Sequence, residues 1–229
     1  MKGLLFAAAL LLAPARACAE GIDPGRCAAF GSLGCYYVPA SAKGQAEMPL
    51  LVYVRGWYGG HRWHVPAAKR LAAARLAFSD FKMGELAESE KMALLITGSS
   101  NLGVLPEYLE AMEKIAGARL PKLIVASHSG GWRGLAQTLK KVPAVERLIL
   151  LDNFYFMDED PSLARAIERA VQGGAVCTGF FTRHNAARYG KFSKLASCPA
   201  DRYQGKNVEY HHDGVTECLG AYLERTSCH

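Results

Sequence analysis

Short apolar runs alternate with mixed apolar and charged stretches along most of the chain. Near-continuous apolar runs of this length are typical of parallel strands that are buried on both faces. They predict strands at Pro49–Val54, Met92–Ile96, Lys122–Ala126, Val145–Leu151, Ala175–Thr182 and Lys206–Tyr210. The stretches between them are rich in helix-forming residues and predict helices at His64–Ala77, Pro106–Ala118, Gly131–Lys141, Ser162–Gln172, Ala186–Leu195 and Thr216–Leu223. The Gly- and Cys-bearing segment before the first strand is expected to be irregular.

This alternation predicts an α/β fold, a three-layer α/β/α sandwich whose mostly parallel sheet has helices on both faces. The length of 229 residues suits one domain, which we expect over residues 20–229. Ligands of such sheets bind beyond the carboxyl ends of the strands, and that edge is where candidate chemistry is sought.

The first 19 residues predict a secretory signal peptide and not part of the fold. Lys2 gives a positive start, an apolar run follows from Gly3 to Ala13, and Ala17-Cys18-Ala19 fits a signal-peptidase site. The run is too short for a membrane anchor, which needs about 20 residues. A lipoprotein signal ending at Cys18 is the alternative. Cleavage near Ala19 would leave a periplasmic or secreted protein with no stable membrane insertion.

The cysteines agree with export. Six remain after Cys18, and an even number in an exported chain indicates disulfides. Several connectivities are open from sequence alone, and we expect the local set Cys27–Cys35, Cys177–Cys198 and Cys218–Cys228. Structural zinc is disfavoured because the chain has no CxxC pair.

Composition and charge exclude some classes of partner. Half of the residues are hydrophobic and 21% are charged, as in ordinary globular domains. The net charge of +6 falls to +4 without Lys2 and Arg16, and the basic residues are spread along the chain. We therefore expect no nucleic acid partner, and we expect a monomer without a cofactor or metal.

Candidate chemistry begins at Ser127-His128-Ser129-Gly130-Gly131, between a predicted strand and a predicted helix. A nucleophile elbow has the pattern G-x-S-x-G in that context, and here Ser127 replaces the leading glycine. The next predicted strand ends at Asp152 and the last one at His211-His212. An imidazole that takes the serine proton, oriented by a carboxylate, turns a serine hydroxyl into a nucleophile.

The elbow and the order Ser, Asp, His resemble the α/β-hydrolase superfamily, by element order from Pro49 onward and by motif at the elbow. The resemblance implies Ser129 as nucleophile, His212 as base and Asp152 as acid, with His211, Asp201 and Asp158 as alternatives. It also implies an oxyanion hole from the amides of Gly130 and Trp57.

Arg55 stands where the superfamily often has His before the glycine of the oxyanion loop. His128, His211 and Tyr58 are expected to line the site. The implied activity is that of an esterase- or lipase-like serine hydrolase that acts on a small-molecule or envelope-derived acyl substrate, with an amidase or peptidase as the alternative. Two rival hypotheses stay open: a non-catalytic binding protein on the same scaffold, and a metal hydrolase that uses His61, His64 and His211.

Overall fold

The computed structural model describes residues 22–56, 66–142, 144–203 and Leu219. Within these residues one sheet of eight strands crosses the molecule in the order β1-β2-β4-β3-β5-β6-β7-β8. The strands are β1 Ala28–Phe30, β2 Gly34–Tyr37, β3 Glu47–Val54, β4 Ala93–Thr97, β5 Arg119–His128, β6 Arg147–Leu151, β7 Val176–Phe181 and β8 Ala200–Arg202. β2 is antiparallel to β1 and to β4, and all other neighbours are parallel.

Helices pack on both faces of this sheet, so the predicted α/β class with a mostly parallel sheet is confirmed, and the arrangement is compatible with three α/β/α layers. The helices are α1 Ala67–Asp80, α2 Met83–Glu90, α3 Pro106–Ala116, α4 Trp132–Lys141, α5 Phe156–Glu159, α6 Ser162–Gln172 and α7 Ala186–Phe192. Because strand side chains alternate between faces, two separate cores form. One core joins α1 and α2 to residues such as Leu51 and Leu94. The other joins α3, α4, α6 and α7 to residues such as Leu50 and Leu95.

The first five predicted strands are confirmed as β3 to β7, with their ends shifted by a few residues. The prediction of an irregular N-terminal segment is wrong, since β1 and β2 form a hairpin in which Ala29 pairs with Cys35. β2 then pairs with the buried strand β4, Tyr36 opposite Leu95. This pairing across the sheet, and not a local apolar pattern, makes the segment regular.

Three further elements were missed by the sequence pattern: the helices α2 and α5 and the strand β8. Helix α2 begins after Lys82, and no side chain caps its N-terminus, so the usual start signal is absent. Strand β8 has three residues and follows Cys198. The predicted strand Lys206–Tyr210 lies outside the described residues, and of the predicted helix Thr216–Leu223 only Leu219 is described, as helical and buried in the core beside α1 and α2.

Two of the predicted disulfides are confirmed. Cys27 binds Cys35 across the N-terminal hairpin, and Cys177 of β7 binds Cys198. The pair Cys218–Cys228 lies outside the described residues. Disulfides persist in oxidising compartments, and these two indicate that the chain occupies one. In the part of the chain that the structure describes, none of the helices has the length and apolarity needed to cross a bilayer.

The sheet order also fixes where a ligand would bind. From the carboxyl end of β3 the chain turns towards β4, whereas from the carboxyl end of the neighbouring strand β5 it turns the opposite way, towards β6. Ligands in open α/β sheets bind in the crevice at such a switch point. Arg55 and Gly56 follow β3, and Ser129 follows β5, so both segments flank this crevice.

Candidate active site

Ser129 occupies a tight turn between β5 and α4. β5 ends at His128, and Ser129–Gly131 form one 3-10 turn that runs directly into α4. The backbone of Ser129 is left-handed, with φ of +49°, and its side chain is 8% exposed. This conformation is unfavourable for residues with a Cβ atom, and it brings the strand into the helix within three residues.

Gly131 allows this turn to approach the neighbouring strand. A Cβ atom at Gly131 would lie 2.4 Å from the carbonyl oxygen of Val54 at the end of β3. One turn later in α4, a Cβ atom at Gly134 would lie 2.4 Å from the carbonyl oxygen of Leu102. Both distances are far below van der Waals contact, so the final glycine of the elbow pattern is a steric requirement of this fold.

Ser127, the departure from the elbow pattern, is explained by a long-range hydrogen bond. Its side chain is fully buried, and its Oγ accepts a hydrogen bond of 2.5 Å from Asn153 Nδ2. Asn153 is also fully buried and comes directly after Asp152. The hydroxyl therefore ties the strand below Ser129 to the turn that carries Asp152, a contact that glycine could not make.

The loop after β3 lies against the nucleophile candidate. A Cβ atom added at Gly56 would come within 2.9 Å of Ser129 Cβ and 3.0 Å of the carbonyl oxygen of His128. Gly56 is thus in close contact with the turn. Trp57 and Tyr58, the predicted oxyanion-hole and site-lining residues of this loop, lie outside the described residues.

Asp152 leaves the sheet beside Ser129. Strands β5 and β6 are neighbours, and His128 pairs with Leu151, so Ser129 and Asp152 each come one residue after a paired position. Neighbouring strands lie about 4.8 Å apart. Asp152 also has a left-handed backbone, with φ of +48°, and its side chain is fully buried. Among the described residues it is the one carboxylate that is buried in this way.

The end of β7 holds the Asp152 carboxylate. The backbone N–H of Thr182 donates to Asp152 Oδ1 at 2.7 Å, and the Thr182 hydroxyl lies 3.0 Å from both carboxylate oxygens. Asn185 Nδ2 donates to the backbone carbonyl of Asp152 at 3.2 Å. Hydrogen bonds to carboxylate oxygens, such as those from Thr182, stabilise the ionised form of a carboxylate.

The Asp152 carboxylate affects the pKa of the neighbouring Tyr155. Burial raises the pKa of the Tyr155 phenol, and the Asp152 carboxylate raises it further. The Tyr155 phenol therefore stays protonated at neutral pH.

The two alternative acids have different surroundings. Asp158 lies on α5, with a side chain 43% exposed, and binds Arg188 Nε at 2.6 Å. That hydrogen bond holds the pKa of Asp158 below its usual value. Asp201 lies within β8, opposite Phe180, with an exposed side chain. Asp152 is the carboxylate that shares the strand-end position with Ser129.

His128 packs next to the turn. The residue is 4% exposed, and its ring meets the ring of Phe81 edge-on, with centroids 6.4 Å apart. Its Nδ1 lies 3.1 Å from the position that a Cβ atom at Gly56 would take. His128 thus lies between the end of α1 and the loop after β3, as a residue that supports the turn would.

The histidine candidates for the base, His212 and His211, lie outside the described residues, as do His61 and His64 of the metal hypothesis. The structure therefore brings together Ser129, Gly130, His128 and Asp152, while the choice of base stays a prediction from sequence.

Three buried polar residues of this edge were not singled out by the sequence: Asn153, Thr182 and Asn185. Thr182 and Asn185 follow β7, where the absence of a carboxylate is visible in the sequence. A polar residue directly after a buried strand is a signal that could have found Thr182. The partner of Asn153 is 26 positions away, and no local pattern indicates it.

Comparison with known proteins bears on the fold alone. No family model matches the chain, and no curated protein matches its sequence. A crystal structure of an uncharacterized protein from Bacillus cereus ATCC 10987 is similar, with a TM-score of 0.50 and 13% identity over 79% of this chain. The match spans 59% of that protein's length. The shared feature is the fold.

Proposed function

We propose that the chain is a serine hydrolase that cleaves an acyl bond, most simply a carboxylic ester, through an acyl-enzyme on Ser129. One observation carries the proposal: a buried serine in a left-handed strand-to-helix turn lies at the switch point of the sheet, beside a buried aspartate that is itself left-handed. Non-glycine residues held in this conformation concentrate at functional sites, where the surrounding structure over-determines them.

The proposed reaction uses Ser129 as nucleophile. Its Oγ attacks the acyl carbonyl carbon while His212 takes the hydroxyl proton, and the oxygen of the carbonyl becomes an oxyanion. The imidazolium then gives the proton to the leaving alcohol, so that an ester of Ser129 remains. Water, deprotonated by the same histidine, releases the acid and restores the serine. Asp152 orients the histidine and stabilises its cation.

Two backbone amides are proposed to hold the oxyanion. Gly130 follows the nucleophile in the first turn of a helix, where amides have no partner within the helix. The second amide would be that of Trp57, and the contact between Gly56 and Ser129 supports a position of this loop at the nucleophile. Such preorganised donors supply the largest single contribution in this kind of catalysis.

The short connection between β6 and α6 supports an open site. It contains only the four-residue helix α5, with Phe156 and Met157 buried against the core, so it adds no cap over Ser129. An open edge suits bulky acyl substrates, such as those derived from the cell envelope. The oxidising compartment indicated by the disulfides is compatible with such a substrate.

The test is an activity profile over ester, thioester and amide panels for the oxidised protein, with Ser129→Ala beside it. We expect ester hydrolysis that falls more than about 10³-fold in Ser129→Ala. Ser89→Ala, which removes an exposed hydroxyl on α2, is the matched control and should keep full activity. Undiminished hydrolysis by Ser129→Ala would rule out the mechanism, and a folded protein inactive on every panel would favour a binding role on the same scaffold.

The same assay assigns the base. We expect His212→Ala to lose activity as completely as Ser129→Ala, while His211→Ala keeps most of it. The reverse result would move the proposed base to His211 and leave the serine mechanism in place.

A further inference from the structure

We propose that Thr182 is the positioning residue that orients the Asp152 carboxylate for catalysis. This inference rests on the proposed function, since it concerns the acid of the same site. It adds a residue from a strand end that carries no acid of its own.

The contacts between the two residues are dense and buried. Thr182 is 2% exposed and Asp152 fully buried. One residue supplies both donors: its amide binds Oδ1, and its hydroxyl lies between Oδ1 and Oδ2. Two donors from a single position fix the plane of a carboxylate as well as its location, because rotation of the carboxylate would break at least one of the bonds.

The anchor extends to the backbone of Asp152. Its N–H donates to the carbonyl of Phe180 on β7 at 2.8 Å, and its carbonyl accepts from Asn185 Nδ2. The left-handed turn at Asp152 is thus held on both sides by the end of β7 and the segment after it. Thr182 acts on the side chain, whereas the other two contacts act on the main chain.

This arrangement explains how an acid placed after β6 can serve the site. The carboxylate is drawn to the end of β7, one strand further along the sheet from Ser129. The side chain of Thr182 therefore provides a support that a carboxylate placed directly after β7 would not need. Without the hydroxyl, the carboxylate loses the Thr182 contact to Oδ2 and keeps the backbone donor at Oδ1, which weakens the restraint on rotation about its Cβ–Cγ bond.

The experiment compares Thr182→Val, Thr182→Ala and Thr182→Ser with wild type, Ser129→Ala and Asp152→Asn. Val and Ala keep the backbone donor and remove the hydroxyl, while Ser restores a hydroxyl. We expect kcat for an ester to fall about 10–100-fold in the Val and Ala variants, the size of effect that loss of a hydrogen bond to a charged group produces. KM should change less than about threefold, because the substrate does not contact this residue. Thr182→Ser should recover kcat to within about threefold of wild type, since it restores the lost hydrogen bond.

Thr138→Val is the matched control. Thr138 is another fully buried threonine, whose Oγ accepts from Val104 N–H at 2.9 Å and donates to the carbonyl of Gly134. Its loss should lower the midpoint of thermal unfolding by about 2–6 °C and leave kcat unchanged. A purely structural hydroxyl behaves in this way, so the control separates stability from positioning.

The outcomes distinguish this inference from the proposed function. If Ser129→Ala and Asp152→Asn are inactive while Thr182→Val and Thr182→Ala keep the wild-type kcat, the inference about Thr182 is wrong and the serine mechanism stands. The inference is also wrong if Thr182→Ser loses as much kcat as Thr182→Ala. If Ser129→Ala and Asp152→Asn keep activity, the proposed function itself fails. If Val does not fold, the Ala and Ser pair decides.

Discussion

Four non-glycine residues in the described chain share one left-handed backbone conformation, but they form two pairs in different surroundings. Lys82 and Lys91 flank helix α2, and their side chains are exposed. Ser129 and Asp152 end two neighbouring strands and are 8% and 0% exposed. The φ angles of all four lie between 48° and 50°, so the backbone alone does not tell the pairs apart.

The difference lies in what each conformation accomplishes. At Lys91 it ends a helix, with the backbone N–H bound to the carbonyl of Ala87, a task that glycine usually performs. At Ser129 and Asp152 it directs a reactive type of side chain to the edge of the sheet, and hydrogen bonds from Asn153 and Thr182 hold the turns. The backbone strain can be removed at the helix ends without loss of the proposed function. At the strand ends the strained conformation is part of the proposed active site.

The largest expected effect is that of glycine at the strand end. Ser129→Gly relieves the backbone strain and removes the hydroxyl. We expect ester hydrolysis to fall more than about 10³-fold. The free energy of unfolding should stay level or rise by up to about 1 kcal/mol. Steady-state kinetics measures the first effect and denaturant unfolding the second. If Ser129→Gly keeps its activity, the two pairs do not differ in function.

The next effect concerns the contact between Gly56 and the turn. Gly56→Ala places a Cβ atom 2.9 Å from Ser129 Cβ, so either the loop or the turn must shift. A displacement of about 1 Å in a catalytic group can lower the rate about 100-fold, and we expect a fall of 10–100-fold in kcat/KM.

Gly190→Ala on α7 is the control for Gly56→Ala, since a Cβ atom there meets nothing within 4 Å. It should keep the wild-type rate and add about 0.5–1 kcal/mol of stability from helix propensity. Equal rates for the two alanine variants would show that the loop after β3 has no part in catalysis.

Lowering the pH should distinguish the two regions in another way, because the region around α2 contains the carboxylate of Glu88. Its carboxylate accepts from Tyr37 Oη at 2.5 Å and from the backbone N–H groups of Ala40 and Ser41. Burial alone would raise the pKa of Glu88, but these hydrogen bonds outweigh it and lower the pKa to about 2. Burial and the bond to Glu88 raise the pKa of Tyr37 to about 12.

A lowered carboxyl pKa stabilises the fold above the ordinary value of 4.5, and this contribution is lost as the pH falls towards 2. Glu88→Gln should therefore cost about 1–2 kcal/mol at pH 7, after allowance for partial exposure, and lose less stability than wild type on acidification. Urea unfolding at a series of pH values measures this. Activity at pH 7 should not change, and an equal acid dependence in both proteins would contradict the role of Glu88.

The smallest expected effect is that of glycine at the helix end. Lys91→Gly should raise the free energy of unfolding by about 0.5–1 kcal/mol, because glycine adopts the left-handed conformation without strain. Ester hydrolysis should equal that of wild type. Compared with Ser129→Gly, this variant shows whether glycine changes only stability at the helix end and activity at the strand end.

Much of this architecture could be predicted because strongly apolar runs mark buried strands. The runs at Leu50–Val54 and Leu148–Leu151 predicted β3 and β6, and the residues after the strands, Ser129 and Asp152, followed from the sheet edge. The pairs Cys27–Cys35 and Cys177–Cys198 followed from short separation in the chain. These features depend on local sequence, which a single chain displays.

The remainder depends on contacts between distant residues. β2 is a strand because Tyr36 and Tyr37 meet the edge of β4, not because of its own pattern. Ser127 stands where the elbow pattern has glycine because its hydroxyl accepts a hydrogen bond from Asn153 on the neighbouring strand end. The anchoring of Asp152 by Thr182, 30 residues later, is likewise set by the neighbouring positions of β6 and β7. Sequence separation hides such partners, although polar residues directly after buried strands mark where to look.

The most direct test of Ser129 as an activated nucleophile is covalent labelling of the folded, oxidised protein with a fluorophosphonate, followed by peptide mapping by mass spectrometry. Such probes react with serines that an adjacent base activates. We expect one labelled residue, Ser129, and loss of labelling in both Ser129→Gly and Asp152→Asn, while Lys91→Gly is labelled like wild type. Absence of label from the folded protein, or label on another serine, would contradict it.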